Sequence, residues 1–331
     1  MTNRQWIFAR APNGAVSPDC FEWREAPVPV PGPGEVLVRT RMLSLDPANR
    51  AWMNGPSYRE QVMPGDVMHG FTLGEVVASN VPEFTTGDLV DGMSGWQDYA
   101  AVSAGSLTKR NARLAPEHLI GVLGVTGLTA YHGLFDVGLA RPGDVVLVSA
   151  AAGAVGTITG QLARLAGCHV VGIAGGPEKC DWLVNELGFH GAIDYKAADF
   201  RAQLRAACPN GVDVYFDNVA GEVLDAALLS MNERGRIVCC GAVSAYDGGV
   251  SPAGSPLLPG LLITRRLRME GFIVLDYAAA RPQAEARLAG WVEAGQLKTF
   301  MDIVEGLENA PAGLVRLLAG GNFGKMAVQV A

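Results

Sequence analysis

Val146-Leu147-Val148-Ser149-Ala150-Ala151-Ala152-Gly153-Ala154-Val155-Gly156 decides the fold. An apolar, β-branched run suits a buried strand, the small residues after it suit a tight turn, and a helical pattern follows. Val155, Ile158, Leu162 and Leu165 recur at three- and four-residue steps, which gives a helix one apolar face, and Gly167 can end it. Aligned with G-x-G-x-x-G, Ala151 takes the first glycine position, Gly153 the second and Gly156 the third. Gly153 lets backbone approach a pyrophosphate seated on the helix N-terminus, where free N–H groups and the helix dipole favour negative charge. Gly156 permits close packing of helix on strand.

Around this centre the chain alternates short apolar runs with helical patterns, as repeated βαβ units do. Strands are expected at Val145 to Val148, His169 to Ile173, Ala192 to Ile193, Val212 to Phe216, Arg236 to Cys240 and Met269 to Leu275. Six such strands make a doubly wound parallel sheet. Upstream the pattern changes to strand and turn signals, with Pro31-Gly32-Pro33-Gly34 leading into Glu35 to Thr40, then Gly74 to Ala78 and Leu89-Val90. Downstream of Thr299 come a helix at Ala312 to Leu318 and a last strand at Met326 to Val330, read as a return to the first domain. The Gly/Pro/Ser-rich loop from Gly248 to Gly260 is of functional length.

The second strand decides the nucleotide. An NAD site carries Asp or Glu where that strand ends, to hold the ribose hydroxyls. Here the strand runs into Gly172-Ile173-Ala174-Gly175-Gly176-Pro177-Glu178-Lys179. No carboxylate ends the strand, the glycines leave room for a phosphate, and Lys179 can supply the charge, with Glu178 opposing it. NADPH is the expected cofactor, and the alternative for Lys179 is a solvated surface lysine.

The 331 residues, 49% hydrophobic and 18% charged, suffice for two domains with substantial cores. A formal charge of −7 without a basic run argues against nucleic acid. No stretch has the length of a signal peptide core or a membrane span, so a cytoplasmic enzyme is expected. Cys20, Cys168, Cys180, Cys208, Cys239 and Cys240 form no C-x-x-C pair and read as buried small side chains of a reducing compartment.

Gly127-Leu128-Thr129-Ala130-Tyr131, the Val148 to Gly156 turn, Phe216-Asp217-Asn218-Val219, Gly271-Phe272-Ile273-Val274 and Asn322-Phe323-Gly324-Lys325 together resemble the medium-chain dehydrogenase/reductase superfamily. The closest likeness is to its zinc-free branch of prostaglandin reductases, alkenal double-bond reductases and curcumin reductases, and Ser44-Leu45-Asp46-Pro47-Ala48-Asn49-Arg50 adds to it. The resemblance covers nearly the whole chain. It implies a GroES-like catalytic domain made of residues 1–122 and 299–331, with a Rossmann NADPH-binding domain, residues 123–298, between them.

By that resemblance Gly153, Ala154, Val155 and Gly156 would hold the pyrophosphate, while Gly175, Lys179 and Tyr195 would meet the adenosine phosphate; Tyr195 could equally be a half-buried packing aromatic. Thr129, Asn218, the loop Cys240-Gly241-Ala242-Val243-Ser244-Ala245-Tyr246, the run Phe272, Ile273 and Val274, and Asn322 would line the ribose and nicotinamide. The implied reaction is hydride transfer to the β-carbon of an enone or enal, then protonation of the enolate. Relatives often carry an aromatic in the segment where this chain has Ala48-Asn49, and a tyrosine where it has Thr264. Tyr246 and Thr264 are therefore the candidate catalytic hydroxyls.

Zinc-dependent members place a Cys and a Gly-His-Glu at the metal; this chain has Ser44-Leu45-Asp46 and Met68-His69-Gly70, so no metal is expected. A small-molecule substrate and a homodimer, paired through the apolar last strand Phe272 to Leu275, complete the expectation. Two alternatives remain: an NADPH quinone oxidoreductase, and a non-catalytic NADPH-binding sensor or structural protein.

Overall fold

The computed structural model describes residues 2–55, 58–247 and 255–330, and divides into two compact units. One unit comprises Met1–Ile120 with Met301–Ala331, and the other Gly121–Phe300. Seven strands open the chain: β1 (Thr2–Phe8), β2 (Phe21–Pro27), β3 (Glu35–Ser44), β4 (Thr72–Ser79), β5 (Leu89–Gly92), β6 (Tyr99–Ser103) and β7 (Thr108–Lys109). Short helices α1 (Ala48–Trp52) and α2 (Pro116–Ile120) accompany them.

The second unit then runs through α3 (Val125–His132), β8 (Val145–Val148), α4 (Ala154–Leu165), β9 (His169–Ala174), α5 (Pro177–Asn185), β10 (Gly191–Asp194), α6 (Phe200–Ala207) and β11 (Val212–Asp217). It ends with α7 (Gly221–Ser230), β12 (Met231–Cys239), α8 (Leu258–Arg265), β13 (Arg268–Gly271) and α9 (Arg281–Glu293). The chain re-enters the first unit with β14 (Met301–Glu305), α10 (Ala310–Leu318) and β15 (Lys325–Gln329).

In the first unit β15 pairs antiparallel with β3, Ala327 opposite Ser44, and parallel with β14. Its core joins both chain ends: Phe8, Leu43, Leu45 and Met68 pack with Leu307, Leu314, Met326 and Val328. The Trp6 indole N–H donates to the Leu307 carbonyl at 2.8 Å.

In the second unit the order is β10-β9-β8-β11-β12-β13, every pair parallel. That is the doubly wound order 3-2-1-4-5-6, in which the crevice between the first and fourth strands is the topological switch point. The helix after β8 is not amphipathic in the expected way. Gly156 through Ala163 are all buried, and the polar member Gln161 is satisfied by the backbone N–H and carbonyl of Lys298, at 2.8 and 3.0 Å. The expected outer residue of the apolar face, Leu165, is 37% exposed.

The last strand corrects the sequence reading. It ends at Gly271, not Leu275, and Val274–Ala280 coils into 3-10 turns. A strand needs a ladder partner, and β12 stops at Cys239, opposite Gly271. The next N–H groups, of Cys240 and Gly241, donate to the Asp217 carbonyl instead, at 2.9 and 3.1 Å. Cys240 is thereby outside the strand in which it was expected. Of the Gly248 to Gly260 loop, residues 248–254 lie outside the described residues, and Leu258 onward is helix.

Two histidines give the fold a pH dependence. His190 Nδ1 accepts the Val170 N–H at 3.0 Å, and its ring stacks on His169 at 4.4 Å. Burial first, then His169 and Arg164, hold His190 below the ordinary histidine value of 6.5; burial and then Arg59 do the same for His69. The unfolded chain takes up protons near 6.5 that the folded chain refuses, so this stability is complete above 6.5 and is lost as pH falls below it. Thermal melts between about pH 8 and about pH 5 should show Tm falling at the acid end. His190→Asn, whose amide oxygen can take the Val170 N–H, should flatten that fall; an unchanged slope would remove His190 from the account.

Candidate functional site

Three loops meet at the carboxyl ends of the parallel strands. The first is the turn from β8 into α4. Ala150 sits at φ 47, a left-handed conformation uncommon for a residue with a side chain, and Gly153 donates its N–H to the Ala150 carbonyl at 2.9 Å. A Cβ on Gly156 would stand 2.4 Å from the Ala150 oxygen and 2.7 Å from Ala151 Cα. Only glycine lets α4 begin this close to β8. A Cβ on Gly153 would meet only the Ala150 oxygen, at 3.2 Å, so the space outside that residue is open. The first-turn N–H groups of Ala154, Val155 and Gly156 have no acceptor within the helix and face the same end. Glycine, dipole and donors fit a pyrophosphate.

The second loop joins β9 to α5. Gly176 at φ 96 makes the turn, and Pro177 opens the helix. Asp194, at the end of β10, accepts the N–H groups of Gly176 and Lys196, both at 2.9 Å, which ties the ends of the second and third strands together. Those two bonds, in that order, hold the Asp194 carboxyl below the usual range. A Cβ on Gly175 would meet Tyr195 Cε1 at 2.9 Å and Lys196 Cε at 3.1 Å, so Gly175, Tyr195 and Lys196 are in contact. Lys196 Nζ lies 5.8 Å from the Tyr195 ring centroid, and Tyr195 is 47% exposed. Half-buried Lys179 is pushed below the usual lysine range by burial and then by Lys196, against the pull of Glu178. Two ammonium groups thus repel each other beside a glycine turn, which suits a polyanion such as a phosphate.

Lys196 and Asp194 escaped the sequence reading. The signal was present: Asp194-Tyr195-Lys196 ends the third strand, and in a 3-2-1 order that end lies beside the end of the second.

The third loop follows β11 and β12. Asn218 donates its N–H to Ser149 Oγ at 2.9 Å and its amide to the Ser149 carbonyl at 2.7 Å, joining the ends of β8 and β11. Val243 donates its N–H to the Asn218 carbonyl, and Ser244 donates both N–H and hydroxyl to the Val219 carbonyl. Gly241 passes so near that a Cβ would lie 3.0 Å from the Asn218 oxygen. Ala242 leads into a short 3-10 turn, Val243–Ala245, which Tyr246 closes. Burial, then Asp217, pushes the Cys240 thiol up to about 12, so it stays protonated.

The other candidates are held by bonds and contacts of their own. Thr129 donates its hydroxyl to the Val125 carbonyl of its own helix at 2.7 Å. Thr264 is exposed and donates to the Gly260 carbonyl of α8 at 2.8 Å, so its hydroxyl must turn before it can serve a substrate. Phe272, Ile273 and Val274 follow β13 half-buried, with Phe272 edge-on to Tyr277 at 6.3 Å. Asn322 belongs to the other unit, where its amide donates to the Gly324 carbonyl at 2.8 Å. There Lys325 is buried and donates to the Leu45 carbonyl and to Asp46, both at 2.8 Å, while Asn49 bridges the Asp46 N–H and the His69 carbonyl. Asn49 is therefore part of a tight polar knot. Among the described residues, no group of three or more His, Cys, Asp or Glu could hold a metal ion, and no helix is long and apolar enough to cross a membrane.

Comparison with known proteins agrees with this architecture. Residues 4–109 match the family described as the N-terminal domain of oxidoreductase, and residues 154–290 match the family described as zinc-binding dehydrogenase. The chain is 44% identical to the NADPH-dependent curcumin reductase of Escherichia coli, across 99% of this chain and 97% of that one. It is 40% identical to the NADP-dependent 2-alkenal reductase of Nicotiana tabacum, across 90% and 88%. Among solved structures, CurA of Vibrio vulnificus in complex with NADPH superposes with a TM-score of 0.94 at 42% identity, covering 99% of both chains. The chain belongs to the medium-chain dehydrogenase/reductase superfamily, in the zinc-independent branch of the curcumin and alkenal reductases.

Proposed function

We propose that this chain uses NADPH to reduce the carbon-carbon double bond of α,β-unsaturated carbonyl compounds, enones or enals. The observation that carries the reading is the pair Lys179 and Lys196 gathered with Gly175 and Tyr195 at the end of β9, beside the glycine turn of α4. The names of the similar proteins, a curcumin reductase and an alkenal reductase, supply the substrate class.

Bound NADPH would supply the hydride. The chain's own residues would do the rest. The open backbone at Gly153 and the N–H groups of Ala154, Val155 and Gly156 would hold the pyrophosphate, the two lysines would neutralise the ribose phosphate, and Asn218 with the Cys240–Tyr246 loop would line the nicotinamide ribose. The Tyr246 hydroxyl and, after rotation, that of Thr264 are proposed to donate to the oxygen on which charge develops. No strong base is required, because solvent can protonate the α-carbon. A homodimer is part of the same reading: β13 is a sheet edge with Arg268, Glu270 and Gly271 exposed, and Leu275 beyond it is 46% exposed. Light scattering at micromolar concentration should return twice the chain mass, and a monomer would remove this element.

The chemistry is tested with an enone and NADPH deuterated at the transferable C4 position. Deuterium is expected on the β-carbon, with the α-hydrogen drawn from solvent and the carbonyl intact. Deuterium on the carbonyl carbon, giving an allylic alcohol, would overturn the proposal.

A further inference from the structure

Two carboxylates of the described residues are buried, and they are treated differently. Asp98 is clamped by Arg4 through Nε and Nη2, at 2.8 and 2.9 Å. Asp217, 2% exposed at the end of β11, makes no ion pair among the described residues. Four donors converge on its Oδ1 instead: the Tyr215 hydroxyl at 2.8 Å, the Ser149 hydroxyl at 3.2 Å, and the N–H groups of Val219 and Ala220 at 3.0 and 2.9 Å. The bonds hold Ala220 at φ 63, a conformation that favours glycine. A buried charge without a counter-charge is costly, and a neutral side chain can cap such a turn. The charge therefore calls for a reason beyond the turn.

Its place supplies one. Asp217 and Ser149 end the fourth and first strands of the sheet, so the carboxylate lies at the switch point, where doubly wound sheets bind their ligands. Its field reaches its neighbours: after burial, Asp217 is the next cause raising the Tyr215 hydroxyl well above 10 and the Cys239 thiol to about 11.

We propose that Asp217 sets the redox poise of the bound nucleotide, its uncompensated negative charge favouring NADP+ over NADPH and so making bound NADPH a stronger hydride donor. The inference rests on the NADPH reading above. When a hydride leaves, two electrons and one proton go to the substrate and the nicotinamide ring is left with one positive charge. The phosphates are unchanged, so an anion fixed next to Asn218, which the reading above assigns to the nicotinamide ribose, would act on the difference between the two forms. The donors on Oδ1 spread the charge without cancelling it.

The test is the ratio of the NADP+ and NADPH dissociation constants, measured by calorimetry and by fluorescence titration. Asp217→Asn should weaken NADP+ about tenfold relative to NADPH, the magnitude for one charge acting over about 12 Å at an effective dielectric near 20. Tenfold corresponds to about 30 mV for a two-electron couple. Tyr215→Phe keeps the charge and should leave the ratio at the wild-type value or shift it toward NADP+. Asp217→Ser, which retains an acceptor for the turn, replaces Asp217→Asn if that variant does not fold. Equal weakening of both nucleotides would reduce Asp217 to a structural cap and overturn the proposal, as would an equal change of ratio in Tyr215→Phe. Failure of the wild type to bind either nucleotide would overturn the NADPH reading itself, and this inference with it.

Discussion

Alanine at both Lys179 and Lys196 is expected to weaken NADPH binding about a hundredfold while leaving NADH within about threefold. Each lysine offers a charge-assisted bond worth about 1.5 to 3 kcal/mol, or roughly tenfold or more in affinity. The second lysine also stiffens the demand for an anion, because it depresses the first: Lys179 is pushed down by burial and then by Lys196. A phosphate dianion relieves that repulsion. It follows that the preference for NADPH weakens as pH rises through the lowered Lys179 range, since the neutral amine no longer attracts phosphate. Fluorescence titration of both nucleotides with the single and double variants reads the effect. Equal weakening of NADPH and NADH would show that the lysines serve the turn and not the phosphate.

Gly156→Val should cost about a hundredfold or more in affinity for both nucleotides, and should lower Tm. The two backbone atoms that a Cβ would meet, the Ala150 oxygen at 2.4 Å and Ala151 Cα at 2.7 Å, belong to the turn backbone and cannot rotate away as a side chain could. The start of α4 must then move off β8, taking with it the N–H groups aimed at the pyrophosphate. Overpacking of this kind costs roughly 1 to 3 kcal/mol in stability, and the displaced donors add their own loss in binding. The contrast with the lysines is diagnostic: one class of change discriminates between nucleotides, the other does not. Binding within about threefold of the wild type would show that the helix can tolerate the shift.

Much of the parallel sheet could be read from the chain because its central strands are buried on both faces and leave unbroken apolar runs. Val145 to Val148 is such a run; Val212 to Phe216 is interrupted only by half-buried Asp213, and the structure adds only Asp217 to it. Legibility failed where pairing, not composition, sets the limit. Phe272 to Leu275 has ideal strand composition but nothing to pair with, whereas Met231-Asn232-Glu233-Arg234-Gly235 is polar, carries Arg234 at φ 60, and still forms the start of β12. The partner of β15 in parallel register, Met301–Glu305, also passed unread, since its short mixed pattern acquires meaning only beside a strand two dozen residues later.

The site divided in the same way. The glycine turn is a contiguous word in the sequence and can be read as one. Asp194 ends β10 and Lys196 follows it, whereas Lys179 lies in the first turn of α5 after β9, and only strand order brings them together. The hub at Asp217 is still less visible, because Tyr215, Ser149 and Ala220 are unremarkable residue types whose hydroxyls and N–H groups meet at one oxygen only after β8 and β11 pair.

The pairing of β3 with β15 sets an order of assembly. Gly121–Phe300 is one continuous stretch, and its sheet can form from neighbours in the chain. Leu43 instead meets Val328, and Trp6 meets Leu307 across 301 positions, so the outer unit closes a loop that already contains a whole domain. Contacts of such separation form late, after the entropy of closing the loop has been reduced by compaction of what lies between. As the chain leaves the ribosome, the N-terminal strands are made first but finished last: they must stay soluble, with one edge of β3 and the face of Leu43 and Leu45 uncovered, until β15 arrives. Exposed Arg41, next to the Met42 to Ser44 stretch that β15 will pair, sets a charge at that waiting edge, which disfavours pairing with another chain.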